Sequence, residues 1–298
     1  MSEVAEGQMV LGDIEVRRVV EVDRFPLPAA TITPDVPDEV WRDNEDWLAP
    51  DHWDPAGGDA FAAIQTWVLR SEGKTVLVDT GIGNGRVRPG VPAFEHLDTD
   101  YLDRLAAAGV RPEDVDVVIN THLHGDHIGW NTRDEGGSWV PTFPNASYLI
   151  PAADHAYFGP ERGDAVRVDN RYGFADSIAP VVRAGQAVLW EGTHRVDSHL
   201  SLEAAPGHTP GSAVLRLASG SDRAVFTGDL FHVPVQILEP CCGSAFCEDP
   251  KEAARSRVRV LGRAADEAEL VFPAHFGGSG AVEVRRAGGK FGISRWAS

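Results

Sequence analysis

Val115 to Trp130 reads VDVVINTHLHGDHIGW, an apolar run that leads into three histidines and an aspartate within six residues. The β-branched stretch Val115–Ile119 predicts a short buried strand. His122 and His124 lie two apart, so in extended backbone both imidazoles point to the same side. Gly125 and Gly129 permit tight turns. Asp126 and His127 follow the first of them, where the chain can turn and aim their side chains at a second point. One strand end can therefore serve two neighbouring metal ions.

Further ligands for such a pair should come from other strand ends, and the chain offers them. Pro206–Ser212 (PGHTPGS) carries His208, Thr227–His232 (TGDLFH) carries Asp229, and Phe272–Phe276 (FPAHF) carries His275. All four clusters repeat one design, an apolar strand followed by a turn holding His or Asp. That recurrence separates these residues from His52, His96, His155, His194 and His199, which sit in unpatterned surroundings and read as surface or hydrogen-bonded histidines.

Outward from this centre, strand and helix signals alternate. Asp13–Val22 alternates apolar and polar residues, and Ala62–Asp79 reads as a hairpin turning at Ser71, Glu72 and Gly73. Asp100–Ala108 is helical and closed by Gly109, with further helices predicted at 152–158, 174–182 and 250–266. Strands are predicted at 147–150, 201–205, 213–218, 224–227, 270–272, 282–285 and 291–294. No repeat or linker divides the series, which predicts one α/β layered domain over residues 1–298. Asp79–Gly85 (DTGIGNG) lacks the Lys-Ser/Thr pair of a phosphate loop and reads as a tight turn after a strand.

Composition narrows the function. The 298 residues are 43% hydrophobic, enough to build a core, and their net charge of −18 repels phosphate backbones and anionic lipid, so neither nucleic acid nor membrane is an expected partner. Met1–Leu11 has no basic or apolar targeting pattern, and no run approaches the roughly 20 apolar residues that cross a bilayer. A soluble cytoplasmic protein is expected. Cys241, Cys242 and Cys247 crowd one loop, where four paired zinc ligands cannot be found, and read as ordinary loop cysteines. Residues 34–59 hold nine acidic residues with Trp41, Trp47 and Trp53. This composition predicts an irregular excursion, and its exposed tryptophans would act as a lid or as a homodimer contact.

The ligand residues, in this order, resemble the metallo-β-lactamase superfamily, and the resemblance runs over nearly the whole chain. It implies an αββα sandwich of two packed mixed sheets with helices on the outer faces. It further implies that His122, His124 and His208 hold one metal and Asp126, His127 and His275 the other, with Asp229 bridging and Asp79 supporting. Gly228–Gln236 (GDLFHVPVQ) is most similar to the branch containing methyl parathion hydrolase and its lactonase-like relatives. Lactonases of acyl-homoserine lactones carry a tyrosine three residues past the bridging aspartate, where this chain has His232.

The chemistry expected of such a site is hydrolysis of a small ester or lactone by a hydroxide shared between two zinc ions, with phosphotriesters as further substrates. Manganese, cobalt or iron would also suit an N/O ligand set. Asp126 and Asp229 would be catalytic as well as ligating. His232 would donate to the substrate carbonyl, and Trp130 would supply an apolar wall. A thioesterase of the glyoxalase II type and an iron-dependent persulfide dioxygenase are the alternatives. The first is disfavoured by the few basic residues after Gly277, the second by the full set of seven ligands. A nuclease of this fold is disfavoured by the missing basic surface.

Overall fold

The computed structural model describes residues 8–297; the first seven residues of Met1–Leu11 lie outside the described residues. Two compact units make up the chain. The described residues up to Glu21 join Gln65–Asp197 in unit 1, and Val22–Ile64 join the residues from Ser198 onward in unit 2. Among the described residues no helix is long and apolar enough to cross a membrane.

The strands are β1 (Gln8–Leu11), β2 (Ile14–Pro28), β3 (Asp59–Ser71), β4 (Lys74–Val78), β5 (Val117–Ile119), β6 (Thr132–Asp134), β7 (Trp139–Pro141), β8 (Ser147–Pro151) and β9 (Ala187–Trp190). They continue with β10 (Thr193–Arg195), β11 (Leu200–Ala204), β12 (Ala213–Ser219), β13 (Asp222–Gly228), β14 (Leu270–Pro273), β15 (Val282–Ala287) and β16 (Lys290–Trp296). One seven-stranded sheet has the order β1-β2-β3-β4-β5-β8-β9, a second runs β10 to β16 in sequence order, and β6-β7 form a separate hairpin. Both large sheets are mixed, as the alternation of strand and helix signals predicts. β3 and β4 are antiparallel across a turn in which Glu72 and Gly73 both have positive φ, the two-residue hairpin geometry that matches strand twist.

Each unit contains a parallel pair that matters for function. In unit 1, β4 and β5 pair Val78 with Ile119, and the three residues of β5 are buried, as a central parallel strand covered on both faces must be. In unit 2, β13 and β14 pair Phe226 with Phe272 and Gly228 with Pro273 across an irregularity between Phe226 and Gly228. Parallel strands end together, so the residues after them emerge side by side.

Packing follows the periodicity. Val118, Tyr148, Ile150, Phe158, Ile178 and Val181 belong to one buried cluster in unit 1. In unit 2 the helix Pro250–Glu267 presents Ala253, Ser256, Arg257, Val260, Leu261 and Ala264 on its buried face, the spacing of an amphipathic helix. Asp249 caps it by accepting the Glu252 N–H, Pro250 occupies the first turn, and Ala268 ends it in the left-handed region.

Three sequence expectations need correction. The predicted helix 174–182 is a π-helical turn, Phe174–Ile178, followed by Ala179–Arg183, with Pro180 unable to donate to a continuous ladder. Strands β6, β7, β9 and β10 carry no strong alternation, being three or four residues long, and the sequence gives no signal for them. The tryptophans of the acidic segment do not form the exposed patch expected of a lid or dimer contact. Trp41 (4% exposed) and Trp53 (8%) join Ile32, Leu48, Val233 and Val235 in a buried cluster of unit 2. Trp41 packs on Trp53 at 5.7 Å, and Trp47 on Trp296 at 6.1 Å. The acidic residues between them face water while the indoles anchor the excursion to its own unit.

Trp41→Ala is therefore expected to cost about 3–5 kcal/mol in a denaturant titration, the range for deleting a buried large aromatic side chain. A flexible lid would lose almost nothing.

Candidate metal centre

In unit 1, four of the candidate ligands follow the paired ends of β4 and β5. The Asp79 N–H donates to the Ile119 carbonyl (2.8 Å), which locks the two strand ends together. Asp79 has φ 58°, an uncommon conformation for a non-glycine residue. From that position its carboxylate accepts the Thr121 N–H and the Thr121 hydroxyl, each at 2.8 Å, and meets His127 Nδ1 at 2.9 Å. His127 is thereby oriented through its outer nitrogen, while its Nε2 lies 3.7 Å from Asp126 Oδ2. His122 has Nδ1 at 3.1 Å from Thr121 Oγ1 and Nε2 at 3.2 Å from His124 Nδ1.

The turn that follows β4 is stitched to this segment. Thr80 N–H donates to the His127 carbonyl, Gly129 N–H to Gly81 O, and Trp130 N–H to Thr80 O. The backbones approach so closely that a Cβ on Gly129 would lie 1.7 Å from Ile82 O. The Gly-rich turn does gather amide donors, but Ile82 N–H (2.6 Å) and Gly83 N–H (3.2 Å) both go to the Glu21 carboxylate. An internal acid thus fills the anion cradle, in agreement with reading Asp79–Gly85 as a structural turn. Burial pushes the Glu21 carboxyl above its ordinary range, against these hydrogen bonds.

Trp130 belongs to the same scaffold. Its indole N–H donates to Glu21 at 2.7 Å and its ring stacks on Tyr101 at 5.3 Å. It borders a cavity of about 420 Å³ that none of His122, His124, Asp126 or His127 lines. Most of the ring, 5% exposed, is packed into the core of unit 1.

In unit 2, the other candidate ligands lie at the ends of β13 and β14 and in the turn after β11. Asp229 is almost fully buried, and its two oxygens are shared out. Oδ1 lies 3.0 Å from His275 Nε2, whereas Oδ2 lies 3.2 Å from His208 Nε2 and 3.2 Å from His232 Nε2. His275 is held from behind, its Nδ1 2.8 Å from the Ala63 carbonyl. His208 Nδ1 lies 3.7 Å from Cys247 Sγ, a partner that the sequence did not reveal, because the intervening loop has no strand or helix signal. Cys247 is therefore not an ordinary loop cysteine; Cys242 donates its thiol to Asp35 O at 3.2 Å.

The titration of these imidazoles follows from their neighbours. Burial alone would lower His208, but Asp229 and, after it, Cys247 together outweigh it and hold the imidazole at about 9. For His232 burial wins over Asp229, with His208 and His275 adding to it, and the ring falls to about 4. At neutral pH one buried cation thus faces the buried carboxylate, and His232 stays neutral.

The donor chemistry fits metal ions. His122, His127, His208 and His275 each turn one ring nitrogen to an outer partner and the other toward a nitrogen or carboxylate oxygen, the arrangement that fixes ligand tautomers. Two imidazole nitrogens 3.2 Å apart, as in His122 and His124, suit a shared cation. All seven sequence-predicted ligands thus fall into two strand-end clusters, one in each unit.

Two mixed sheets whose strand ends carry His and Asp side chains able to hold metal ions define an α/β protein with a candidate metal centre. The chain belongs to the metallo-beta-lactamase superfamily, whose model matches residues 61–275. Among curated proteins it is similar to metallo-beta-lactamase domain-containing protein 1 of Mus musculus, 28% identical over 58% of this chain and 53% of that protein. The chain thus spans about half the length of that relative. Among solved structures it is similar to the hydrolase AbOPH, of the beta lactamase superfamily (TM-score 0.80, 22% identity, 98% of each chain). It is also similar to AidC, a dizinc quorum-quenching lactonase (TM-score 0.75, 22% identity, 96% of this chain and 95% of that one). At these identities the structural likenesses establish the fold.

The two glycines of the HxHxDH segment should respond differently to substitution. Gly129→Ala should destabilise by more than about 4 kcal/mol or fail to give soluble protein, since its Cβ has backbone where it must sit. Gly125→Ala, whose Cβ would meet only the Arg88 side chain, at 3.3 Å from Nε and 3.8 Å from Cδ, should stay within about 1 kcal/mol of the parent in the same denaturant assay.

Proposed function

We propose that this chain is a dinuclear-metal hydrolase that cleaves a small ester or lactone. The observation that carries the reading is the division of the Asp229 carboxylate, with one oxygen toward His275 and the other toward His208. A carboxylate that bridges two ions through both of its oxygens needs that division. His122, His124 and His208 would hold one ion, Asp126, His127 and His275 the other, and Asp229 both. The ligand set suits zinc, with manganese, cobalt or iron as alternatives. When bound, two such ions lower the pKa of a shared water into the neutral range and polarise the bond under attack.

The protein's own residues supply the rest. Asp79, Thr121 and the Ala63 carbonyl hold the imidazoles in one orientation, which spares reorganisation during turnover. His232 is neutral and has its Nε2 beside Asp229 Oδ2. We assign it the role of hydrogen-bond donor next to the reacting centre, with Asp229 as its partner when no substrate is bound. An acidic protein with a cationic site favours a compact neutral substrate with a polarisable carbonyl. The AidC likeness supports a lactone as the first substrate class to test, with phosphotriesters as a further one.

Elemental analysis of protein purified without added metal, paired with a panel of lactones, aryl esters, thioesters and phosphotriesters, tests the proposal. Two ions per chain and turnover of a lactone or aryl ester are expected. A single iron with no hydrolysis would turn the reading toward oxygen chemistry. His232→Ala should retain both ions and lose about 10²-fold in kcat, the scale for removing one preorganised donor. An unchanged kcat would leave His232 as scaffolding.

Metal uptake should also be proton-coupled. The metal-free His208 holds its proton up to a pH of about 9, and a ligand must give it up. Calorimetric titration of the metal-free protein in two buffers at neutral pH should therefore show proton release. Apparent affinity should rise with pH and level off above about 9. The same His208–Asp229 pair stabilises the metal-free fold, fully below the ordinary histidine value of 6.5 and decreasingly as pH rises through about 9.

A further inference from the structure

We propose that Cys247 is a positioning residue for the metal centre, the outer hydrogen-bond partner that fixes the ring orientation and tautomer of His208. The inference rests on the dinuclear reading above. The four imidazoles for which outer contacts are resolved have different partners: a carboxylate for His127, a hydroxyl for His122, a backbone carbonyl for His275 and a thiol sulfur for His208. Three of these are strong oxygen acceptors. At His208 the partner is sulfur, at 3.7 Å from Nδ1, a separation at which sulfur still accepts an N–H. With Nδ1–H directed at sulfur, Nε2 is the nitrogen that would give up its proton and turn its lone pair to an ion on the side where Asp229 lies.

The segment that carries the thiol also clasps the turn that carries His208. Glu248 N–H donates to the His208 carbonyl (2.9 Å) and Asp249 N–H to Gly207 O (2.8 Å), while the Ser256 hydroxyl donates to Pro206 O (2.8 Å). Cys247 is itself fixed by donating its N–H to Ser244 O at 3.1 Å. Gly207 has φ 130° and no room for a Cβ, which would meet Ala253 N at 2.0 Å. The helix Pro250–Glu267 therefore packs directly on the ligand turn. The thiol is presented to His208 by a register of backbone hydrogen bonds, beside the helix whose Arg257 donates its Nε–H to Pro240 O (2.8 Å). These contacts distinguish Cys247 from Cys241, which is exposed.

The test uses zinc competition against a chromophoric chelator with the full-length protein and its Cys247→Ala and Cys247→Ser variants. The parent should hold two ions. Cys247→Ala should hold one of them about 10–100-fold more weakly, the usual effect of removing an outer partner of a ligand, and leave the other unchanged. Cys247→Ser, whose oxygen can accept the same N–H, should recover most of the loss. In the cobalt-substituted protein the paramagnetically shifted Nδ1–H resonance of His208 should broaden through solvent exchange in Cys247→Ala and sharpen again in Cys247→Ser. The melting temperature of the metal-free forms separates this from misfolding, since all three should melt alike. A parent with two ions and a Cys247→Ala variant that binds both as tightly, with the shifted resonance intact, would overturn the proposal and leave the functional reading standing. A parent that takes up no ion would overturn both.

Discussion

A carboxylate buried among three imidazoles is the constraint on which the rest of the site depends. Asp229 has lost nearly all contact with water, and an ionised group in that position is tolerated only with compensating charge close by. In the metal-free protein a protonated His208 supplies it. Two divalent ions would supply it in excess, and the same geometry would then favour a metal ion over a proton. The local backbone serves this end: β13 departs from regular pairing between Phe226 and Gly228, and Gly228 adopts φ 49°, so that the next residue leaves the sheet at its end.

The outer contacts carry out a second task, rigidity. A flexible imidazole would lose affinity to the entropy of ordering it. Here Asp79 gives up ordinary backbone conformation to hold Thr121 and His127 together, and Glu21 absorbs the amides of the Gly-rich turn so that the chain can pass close to Gly129. Stability and site geometry are therefore not separable in this segment. The residues that keep the turn in place also aim the ligands.

Much of this was legible in the residues. The apolar run before THLHGDHIGW marked β5, and the same strand-then-turn pattern located His208, Asp229 and His275, because short-range periodicity and turn chemistry are written locally. The hairpin at Glu72–Gly73 and the helix capped by Asp249 were legible for the same reason. What stayed hidden depends on distant neighbours. Trp41 and Trp53 look like an exposed patch until Val233 and Val235, far along the chain, are seen to cover them. Nothing near Trp130 in sequence shows that Glu21 takes its indole N–H. Cys247 lies 39 residues from His208, in a loop whose path no periodicity predicts.

The account stands or falls on the sharing of Asp229 between two ions. Anomalous diffraction from crystals of the protein as purified, collected on both sides of the metal absorption edge, tests it most directly. The account predicts two anomalous peaks, one bonded to Asp229 Oδ1 beside His275 and the other to Oδ2 beside His208. One peak alone, or both carboxylate oxygens on the same ion, would contradict it.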